Sequence, residues 1–161
     1  MPSFHQLKIA QKMPISIDLA WDFFSSPANL AKITPDQMGF TITSDFEIGQ
    51  KMYPGQIITY KVSPVLGIKL NWMTEITQVV DNQYFVDEQR FGPYAMWHHQ
   101  HHFKVINGGV EMTDIVDYVL PFGMLGTLAN ALFVKKQLKT IFDHRLKAVE
   151  DLFGKFNYTK K

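Results

Sequence analysis

The sequence is organised around residues Gly92–Leu120, GPYAMWHHQHHFKVINGGVEMTDIVDYVL. This stretch predicts two β-strands joined by a tight turn, because polar and apolar residues alternate on both sides of Asn107-Gly108-Gly109. Successive side chains of a strand point to opposite faces of its sheet. We expect the mostly apolar set to face the core and the polar set to face solvent. The inward set is Trp97, His99, His101, Phe103 and Val105; the outward set is His98, Gln100, His102 and Lys104.

The turn determines which residues of the two strands lie opposite each other. A two-residue loop at 107–108 places His101 opposite Asp114, whereas a loop at 108–109 places Phe103 opposite Asp114. A carboxylate on an apolar face costs on the order of several kcal/mol unless it is paired. We therefore predict that Asp114 pairs with the inward histidines. With either loop, the return strand adds to this face Val110, Met112, Asp114, Val116, Tyr118 and Leu120.

The composition favours one globular domain over residues 1–161, with a frayed tail from about residue 157. Of the 161 residues, 46% are hydrophobic, which is enough to form a core of ordinary size. The formal net charge of +1 gives no attraction to nucleic acid or to anionic lipid. We expect no nucleic-acid partner.

The chain contains no cysteine, which excludes disulfides, thiol catalysis and thiolate metal sites. No apolar run approaches the roughly 20 residues that a membrane span needs, so we expect no stable membrane insertion. The first residues, MPSFHQLKIAQKM, lack the apolar region of a signal peptide. These features predict a cytoplasmic protein, and the sequence indicates no cofactor.

The remaining patterns predict an α+β fold with the order β-α-α-β6-α. Apolar residues recur at helical spacing over Met124–Phe153, which predicts one long amphipathic helix capped by Gly154. The charged residues of this segment, including Arg145, mostly fill its other side. A strand is predicted first, then two short helices, then four further strands before the central stretch: Phe4–Met13, Asp18–Ser25, Pro27–Ile33, Phe40–Ser44, Gln56–Ser63, Ile68–Val80 and Tyr84–Phe91.

Such an antiparallel, curved sheet of seven strands must cover its concave face, and the terminal helix is the only predicted element long enough to do so. A helix resting across the sheet leaves a cavity between them, which the two short helices close at one end. Cavities of this kind bind apolar ligands. On the strand before the central stretch, Asp87 and Glu88 point to opposite faces, so that one of them faces this cavity, and Arg90 is placed to pair with Glu88.

Nearly the whole chain, from Phe4 to Phe153, resembles a known family. The residues that carry the resemblance are Trp21, Pro27-x-Asn29-Leu30-x-x-Ile33-Thr34-Pro35, Gly49, Tyr60, Trp72, Ile76, Phe85-x-Asp87-x-Gln89-x-x-Gly92-Pro93-Tyr94-x-x-Trp97-x-His99-x-His101-x-Phe103, Gly108-Gly109, Asp114-x-Val116-x-Tyr118 and Pro121-x-Gly123. They are similar to the START-like ligand-binding superfamily, also called SRPBCC, which includes the birch-pollen allergen, lipid-transfer START domains and polyketide cyclases. Within it the chain resembles a largely uncharacterised bacterial subgroup.

The resemblance implies a helix-grip fold with a deep apolar pocket, but it does not imply one activity, because functions differ within the superfamily. The leading hypothesis is a non-enzymatic binder or carrier of a small apolar molecule such as a lipid, an isoprenoid or a polyketide-like compound. The predicted ligand-binding residues are Trp72, Trp97, His99, His101, Phe103, Met112, Asp114, Val116 and Tyr118 on the sheet and Leu128, Leu132 and Phe142 on the helix.

Three other interpretations of the inward histidines remain open. In a cyclase or dehydratase, His99 or His101 acts as the general base and Asp114 orients it. In a zinc site, His99-x-His101 and Asp114 supply the ligands, although we favour no metal. In a protein-interaction module with a collapsed, dry core, the same residues only join two strands. We favour a polar cluster that forms the floor of an apolar pocket.

Overall fold

The computed structural model describes residues 3–47, 49–63, 68–121 and 133–157. Within them seven antiparallel strands form one sheet in the order β1-β7-β6-β5-β4-β3-β2. The elements are β1 (Phe4–Met13), α1 (Ile17–Phe24), two 3-10 helices (Pro27–Ile33 and Asp36–Met38), β2 (Thr41–Ile42), β3 (Ile57–Val62), β4 (Leu70–Val80), β5 (Tyr84–Phe91), β6 (Met96–Ile106), β7 (Gly109–Val119) and α2 (Lys135–Phe153). The predicted helix-grip fold, a curved antiparallel sheet with a C-terminal helix, is confirmed.

The turn between β6 and β7 sets the register of the central hairpin. Gly108 has a φ of 84°, which a glycine adopts without strain. The strand pairing sets Ile106 opposite Gly109 and His101 opposite Asp114, so the loop is at 107–108. This is the first of the two registers that the sequence allows, and it places the inward histidines beside the inward carboxylate.

The ends of the helices follow from local sequence signals. The Ser16 side chain accepts a hydrogen bond from the Leu19 N–H at 3.2 Å and so caps the start of α1. At the other end of the chain, the N–H of Gly154, in the left-handed region with a φ of 89°, donates to the Glu150 carbonyl after α2. The predicted end of the long helix is thus confirmed, whereas residues 124–132 lie outside the described part of the chain.

The inward face of the sheet is covered in two parts. One part packs beneath α1 and its neighbours, where Trp21 and Phe24 contact Phe103 edge-on or tilted. The other packs beneath α2, where Leu138 and Phe142 meet Val116 and Tyr118. Val105, which the alternation placed inward, is 64% exposed because it lies near the end of β6, beyond both covers. None of the described helices is long and apolar enough to cross a membrane.

Candidate functional site

A cavity of about 180 Å³ lies between the covered sheet and the helices. Its walls come from β3–β6, from α1 with the following 3-10 helices, and from α2. Most of the lining is aromatic or aliphatic, with Phe24, Leu30, Ile33, Ile58, Trp72 and Phe142 among its members. Polar side chains also line the cavity, and those that can carry a charge or donate a phenol proton include Tyr60, Asp87, Tyr94, His99, His101 and Arg145. The arrangement is an apolar chamber with a localised polar wall.

The structure divides the predicted ligand-binding residues into two groups. Those that line the cavity are Trp72, Trp97, His99, His101 and Phe142. Those of the described residues that do not line it are Phe103, Met112, Asp114, Val116 and Tyr118, each of which is buried. They face inward as the alternation predicts, but they lie where the helices rest directly on the sheet. These five residues are therefore not part of the cavity wall, and their role in ligand binding stays a prediction. Leu128 and Leu132 lie outside the described residues.

The polar wall is part of a buried group of five side chains, Asp87, His99, His101, Asp114 and Arg145, which we call the polar cluster. Neighbouring strands supply four of them: Asp87 lies opposite His99 across β5 and β6, and Asp114 lies opposite His101 across β6 and β7. The fifth comes from α2, where Arg145 Nη1 lies 3.9 Å from Asp114 Oδ1. The cluster therefore joins three adjacent strands to the helix that covers them.

Each imidazole of the polar cluster lies between the same two carboxylates. His99 Nε2 donates to Asp114 Oδ1 at 3.0 Å, and His99 Nδ1 lies 3.5 Å from Asp87 Oδ2. His101 Nε2 donates to Asp87 Oδ2 at 2.8 Å. His101 Nδ1 lies 2.9 Å from Asp114 Oδ1, in a close ion-pair contact that is off the line of a hydrogen bond. The predicted pairing of Asp114 with the inward histidines is present, and Asp87 completes a closed ring.

The rings of the cluster are held by stacking as well as by hydrogen bonds. The centroids of His99 and His101 are 3.7 Å apart, and His101 stacks on Phe85 at 4.0 Å with an interplanar angle of 18°. Phe142 meets His99 edge-on at 5.9 Å. Because apolar rings enclose them, the two imidazoles cannot turn without repacking the core, and their nitrogens keep fixed directions.

The environment moves the pKa values of the four titrating groups apart. Burial lowers the pKa of His99, and the neighbouring His101 lowers it further. Burial opposes a charge on His101 too, but its contacts with Asp114 and Asp87 outweigh burial and raise its pKa. Burial by itself would raise the pKa of Asp114, yet the Arg145 charge and the two histidines hold it well below its usual range. For Asp87, His99 and His101 likewise outweigh burial and lower the pKa.

At a pH near 6.5 these directions favour a protonated His101 and a neutral His99. The two carboxylates then carry two negative charges, and Arg145 and His101 carry two positive charges. A buried cluster that is neutral as a whole avoids most of the cost of burying unpaired charge. The polar cluster is therefore both a structural link between strands and helix and a set of oriented donors and acceptors at the cavity wall.

Two members of the cluster were not identified as site residues from the sequence. Asp87 and Glu88 face opposite sides of β5, and the alternation alone did not decide which of them faces the cavity. Arg145 was counted with the solvent-facing charges of the long helix, but it lies three residues after Phe142 and four before Val149. It therefore shares their inward face, and its side chain is 12% exposed. The spacing of Arg145 from Phe142 and Val149 along the helix is therefore the sequence signal that predicts its inward position.

A second hydrogen-bonded group lies on the part of the cavity wall that β3 and β4 supply. Thr74 Oγ1 accepts from Trp72 Nε1 at 3.0 Å and lies 3.0 Å from Tyr60 Oη. Burial and the nearby Asp87 raise the pKa of Tyr60, so its hydroxyl stays protonated. Tyr60 and Trp72 stack with their centroids 5.8 Å apart. The cavity wall therefore has a second polar site, and this one carries no charge.

The outward side chains form a separate set on the other face of the sheet. Arg90 binds Glu88 at 3.0 Å, which confirms the predicted salt bridge, and it also binds Glu75 at 2.6 Å. His98 Nδ1 lies 3.0 Å from Glu88, and His102 bonds to Gln100. The four histidines of β6 are therefore two buried and two outward residues, as the alternation predicts.

Comparisons with solved structures identify the fold. Over 94% of this chain and 98% of the other, the structure is similar to protein CV1439 from Chromobacterium violaceum, with a TM-score of 0.69 and 11% identity. Protein Ms6760 from Mycobacterium smegmatis matches 91% of this chain and 89% of its own, with a TM-score of 0.66 and 16% identity. Ginseng major latex-like protein 151 from Panax ginseng matches 93% and 97%, with a TM-score of 0.63 and 11% identity.

The ginseng protein has the fold of the birch-pollen allergen, so the fold that the resemblance implied is the one observed. No protein-family model matches the sequence, and no curated protein is significantly similar to it. At these identities the comparisons show the fold alone, and they show neither a ligand nor an activity.

Proposed function

We propose that the protein binds a small, mostly apolar molecule that carries one polar oxygen. The observation that carries this proposal is the aromatic-lined cavity of about 180 Å³ with charged and neutral hydrogen-bonding groups on its wall. Cavities that are mainly apolar, with a few convergent polar groups, are the usual form of small-molecule sites in proteins.

The volume of the cavity limits the size of its ligand. A dry apolar cavity of about 150 Å³ is enough for one benzene molecule. The volume here, 180 Å³, therefore favours a compact ring compound, isoprenoid-like or polyketide-like, over a long-chain lipid. Aromatic walls such as Trp72 and Trp97, which meet edge-on at 5.4 Å, suit a flat ligand because they offer both ring faces and ring edges.

Two adjacent isoleucines of β3 provide a matched test. Ile58 is 4% exposed and lines the cavity, whereas Ile57 is 45% exposed and points to the other face. We expect Ile58→Trp to fill the cavity and abolish binding, and Ile57→Trp to leave binding unchanged. Binding is measured by native mass spectrometry and by the fluorescence of the cavity tryptophans, with a panel of terpenoid, aromatic polyketide and fatty-acid compounds.

The proposal requires that at least one compact compound bind to the wild type and to Ile57→Trp but not to Ile58→Trp. Equal binding to both variants would place the ligand outside the cavity. A wild type that stays empty against the whole panel would count against the proposal. Thermal unfolding of both variants checks that the larger side chain has not unfolded the chain.

A second candidate function is a cyclase-type or dehydratase-type enzyme that uses the same cavity. It is favoured because both imidazoles line the cavity and because carboxylates orient them. In this function Asp114, which does not reach the cavity, is a positioning residue. His101→Ala should then abolish turnover while the fold persists; loss of the fold instead would favour a structural role.

The interaction module with a filled, dry core is disfavoured by the size of the cavity.

A further inference from the structure

We propose that Asp87, His99 and His101 form a binding site for a divalent transition-metal ion, with open coordination positions that face the apolar cavity. Their ligand atoms lie within 4.8 Å of one another. All three side chains line the cavity. The site differs from the zinc site that the sequence suggested, because Asp87, and not Asp114, is the third ligand.

Two of the three distances among the ligand atoms are close to those that a small metal ion needs. Ligands bound to tetrahedral zinc at 2.0–2.2 Å lie about 3.4 Å from one another. Asp87 Oδ2 lies 2.8 Å from His101 Nε2 and 3.5 Å from His99 Nδ1. Small side-chain shifts therefore suffice to admit an ion, which would take the place of the proton between His101 Nε2 and Asp87 Oδ2.

Asp114 supplies the outer support that histidine ligands of metals usually have. Metal-bound imidazoles commonly direct their second nitrogen at a carboxylate, which fixes the ring and its tautomer. Here the second nitrogens are His99 Nε2 and His101 Nδ1, and they lie 3.0 and 2.9 Å from the same atom, Asp114 Oδ1. Asp114 thus orients His99 through a hydrogen bond and contacts His101 as an ion pair, and the remaining nitrogen of each ring points to Asp87.

The charges of the cluster also suit a divalent cation. With both histidines neutral, the ion and Arg145 contribute three positive charges, and Asp87 and Asp114 contribute two negative charges. One positive charge remains at the cavity wall. An anionic oxygen donor, such as a carboxylate, an enolate or a phenolate, would neutralise it from the open side. Arg145 also lines the cavity and carries a second positive charge there.

The donor set indicates the class of metal. Two imidazoles and one carboxylate with open positions are typical of Fe²⁺ and Zn²⁺ sites, whereas Ca²⁺ and Mg²⁺ prefer oxygen ligands alone. We therefore infer a first-row divalent transition metal, and Zn²⁺ and Co²⁺ are suitable probes. The metal would act as a Lewis acid toward an oxygen of the bound molecule.

The experiment uses the full chain without an affinity tag, stripped with a chelator and titrated with Zn²⁺ by calorimetry. The same strand supplies its own control, since His98 and His102 point to the outer face. We expect one Zn²⁺ per chain in the wild type and in the His98→Ala/His102→Ala variant. We expect Asp87→Asn, which preserves the shape of the side chain, and His101→Ala each to weaken binding by more than about 100-fold, because loss of an outer partner alone costs 10–100-fold.

Cobalt gives a second measurement that needs no variant. Bound Co²⁺ in a site of low coordination number absorbs visible light far more strongly than hydrated Co²⁺, and an oxygen ligand added to the cavity should alter that spectrum. The inference is overturned if wild-type Co²⁺ shows only the hydrated spectrum, if Asp87→Asn binds Zn²⁺ as tightly as the wild type, or if the outward double variant loses the site.

The inference does not rest on the proposed binding of an apolar molecule, and the two can fail separately. Ligand binding by chelator-stripped protein tests the cavity alone. Zn²⁺ binding in Ile58→Trp, where the cavity is filled but the three ligands are intact, tests the metal site alone. A protein that binds Zn²⁺ and no apolar compound would keep this inference and overturn the proposed function.

Discussion

Asp114 Oδ1 accepts a hydrogen bond from His99 Nε2 at 3.0 Å, and this turns the opposite nitrogen of His99 toward the cavity side of the cluster. The bond crosses from β7 to β6, so the backbone pairing of two strands fixes the direction of a side chain on the cavity wall. A residue that never touches the cavity thereby controls what the cavity presents to a ligand.

Replacing Asp114 tests this control through stability. Asp114→Asn removes one of the two buried carboxylates that balance Arg145 and protonated His101, so we expect it to lower the free energy of unfolding of the metal-free protein by about 3–5 kcal/mol. Urea denaturation in the presence of a chelator measures the loss. Asp117→Asn, on the outward face of the same strand and bonded to Gln6, is the matched control and should change stability by less than about 0.5 kcal/mol. Equal effects at the two positions would contradict a special role of Asp114.

The link between the sheet and α2 can be measured as a coupling energy. Arg145→Met keeps an unbranched, flexible side chain beside Phe24 and Phe142 but removes the guanidinium group that lies over their rings. We expect it to destabilise the chain, and we expect the double variant with Asp114→Asn to lose less than the sum of the two single variants, by about 1–3 kcal/mol. The control is Lys147→Met on the exposed side of α2. Additive losses would show that the 3.9 Å contact carries no coupling.

The histidine pair predicts a maximum of stability near pH 6.5 for the metal-free protein. The pKa of His99 is lowered from its ordinary 6.5, so below that pH the unfolded chain binds a proton at His99 that the folded chain does not bind, and stability falls. The pKa of His102 is also lowered, and it adds to this acid limb of the stability curve. The pKa of His101 is raised from 6.5, so its stabilisation is complete below 6.5 and is lost as pH rises through the folded-state pKa.

Urea denaturation across pH 5–9, with a chelator present, measures both limbs. Each proton that differs between the two states changes the slope by at most about 1.4 kcal/mol per pH unit. His101→Gln should remove the alkaline limb and keep the acid limb. A wild-type stability that rises steadily from pH 6.5 to 8 would be incompatible with the raised pKa of His101.

The neutral hydrogen-bonded group makes its own prediction. Thr74→Val keeps the shape of the side chain but leaves the buried Trp72 indole N–H without its acceptor and removes a partner of Tyr60. We expect a loss of about 1–3 kcal/mol in the free energy of unfolding, because an unsatisfied buried donor costs that amount. Thr113→Val, on the outward face of β7, is the control. Near-equal stability of the two variants would show that the Trp72 hydrogen bond adds little.

The sequence predicted those parts of the site that depend on backbone rules. Alternation along β6 separates the buried from the outward histidines, and the glycine turn limits the hairpin to two registers, one of which, with His101 opposite Asp114, is observed. The strands Phe4–Met13 and Tyr84–Phe91 end where their patterns end. These features depend on interactions between residues that are close in the sequence, so the sequence pattern is enough to predict them.

The parts that were missed depend on contacts between distant elements. Alternation places Phe103, Met112, Val116 and Tyr118 inward, but whether an inward residue meets a helix or a void depends on where the helices rest. The sequence does not show which face of the sheet Asp87 occupies. β4 and β5 pair with register shifts at Met73/Thr74 and Ile76/Gln78, so the turn between them does not determine which residue lies opposite Asp87. Arg145 was assigned by residue type, although its helical phase with Phe142 points inward.

The order of the strands also has a kinetic consequence. β1 is the first strand of the chain, yet its sheet partner is β7, with Phe4 opposite Val119 and Met13 opposite Val110. Contacts between such distant segments close large loops and slow folding. During synthesis β1 therefore waits unpaired until most of the chain has left the ribosome. Its alternating pattern, with charged and amide side chains between the apolar ones, would help to keep it from pairing with other nascent chains in that interval.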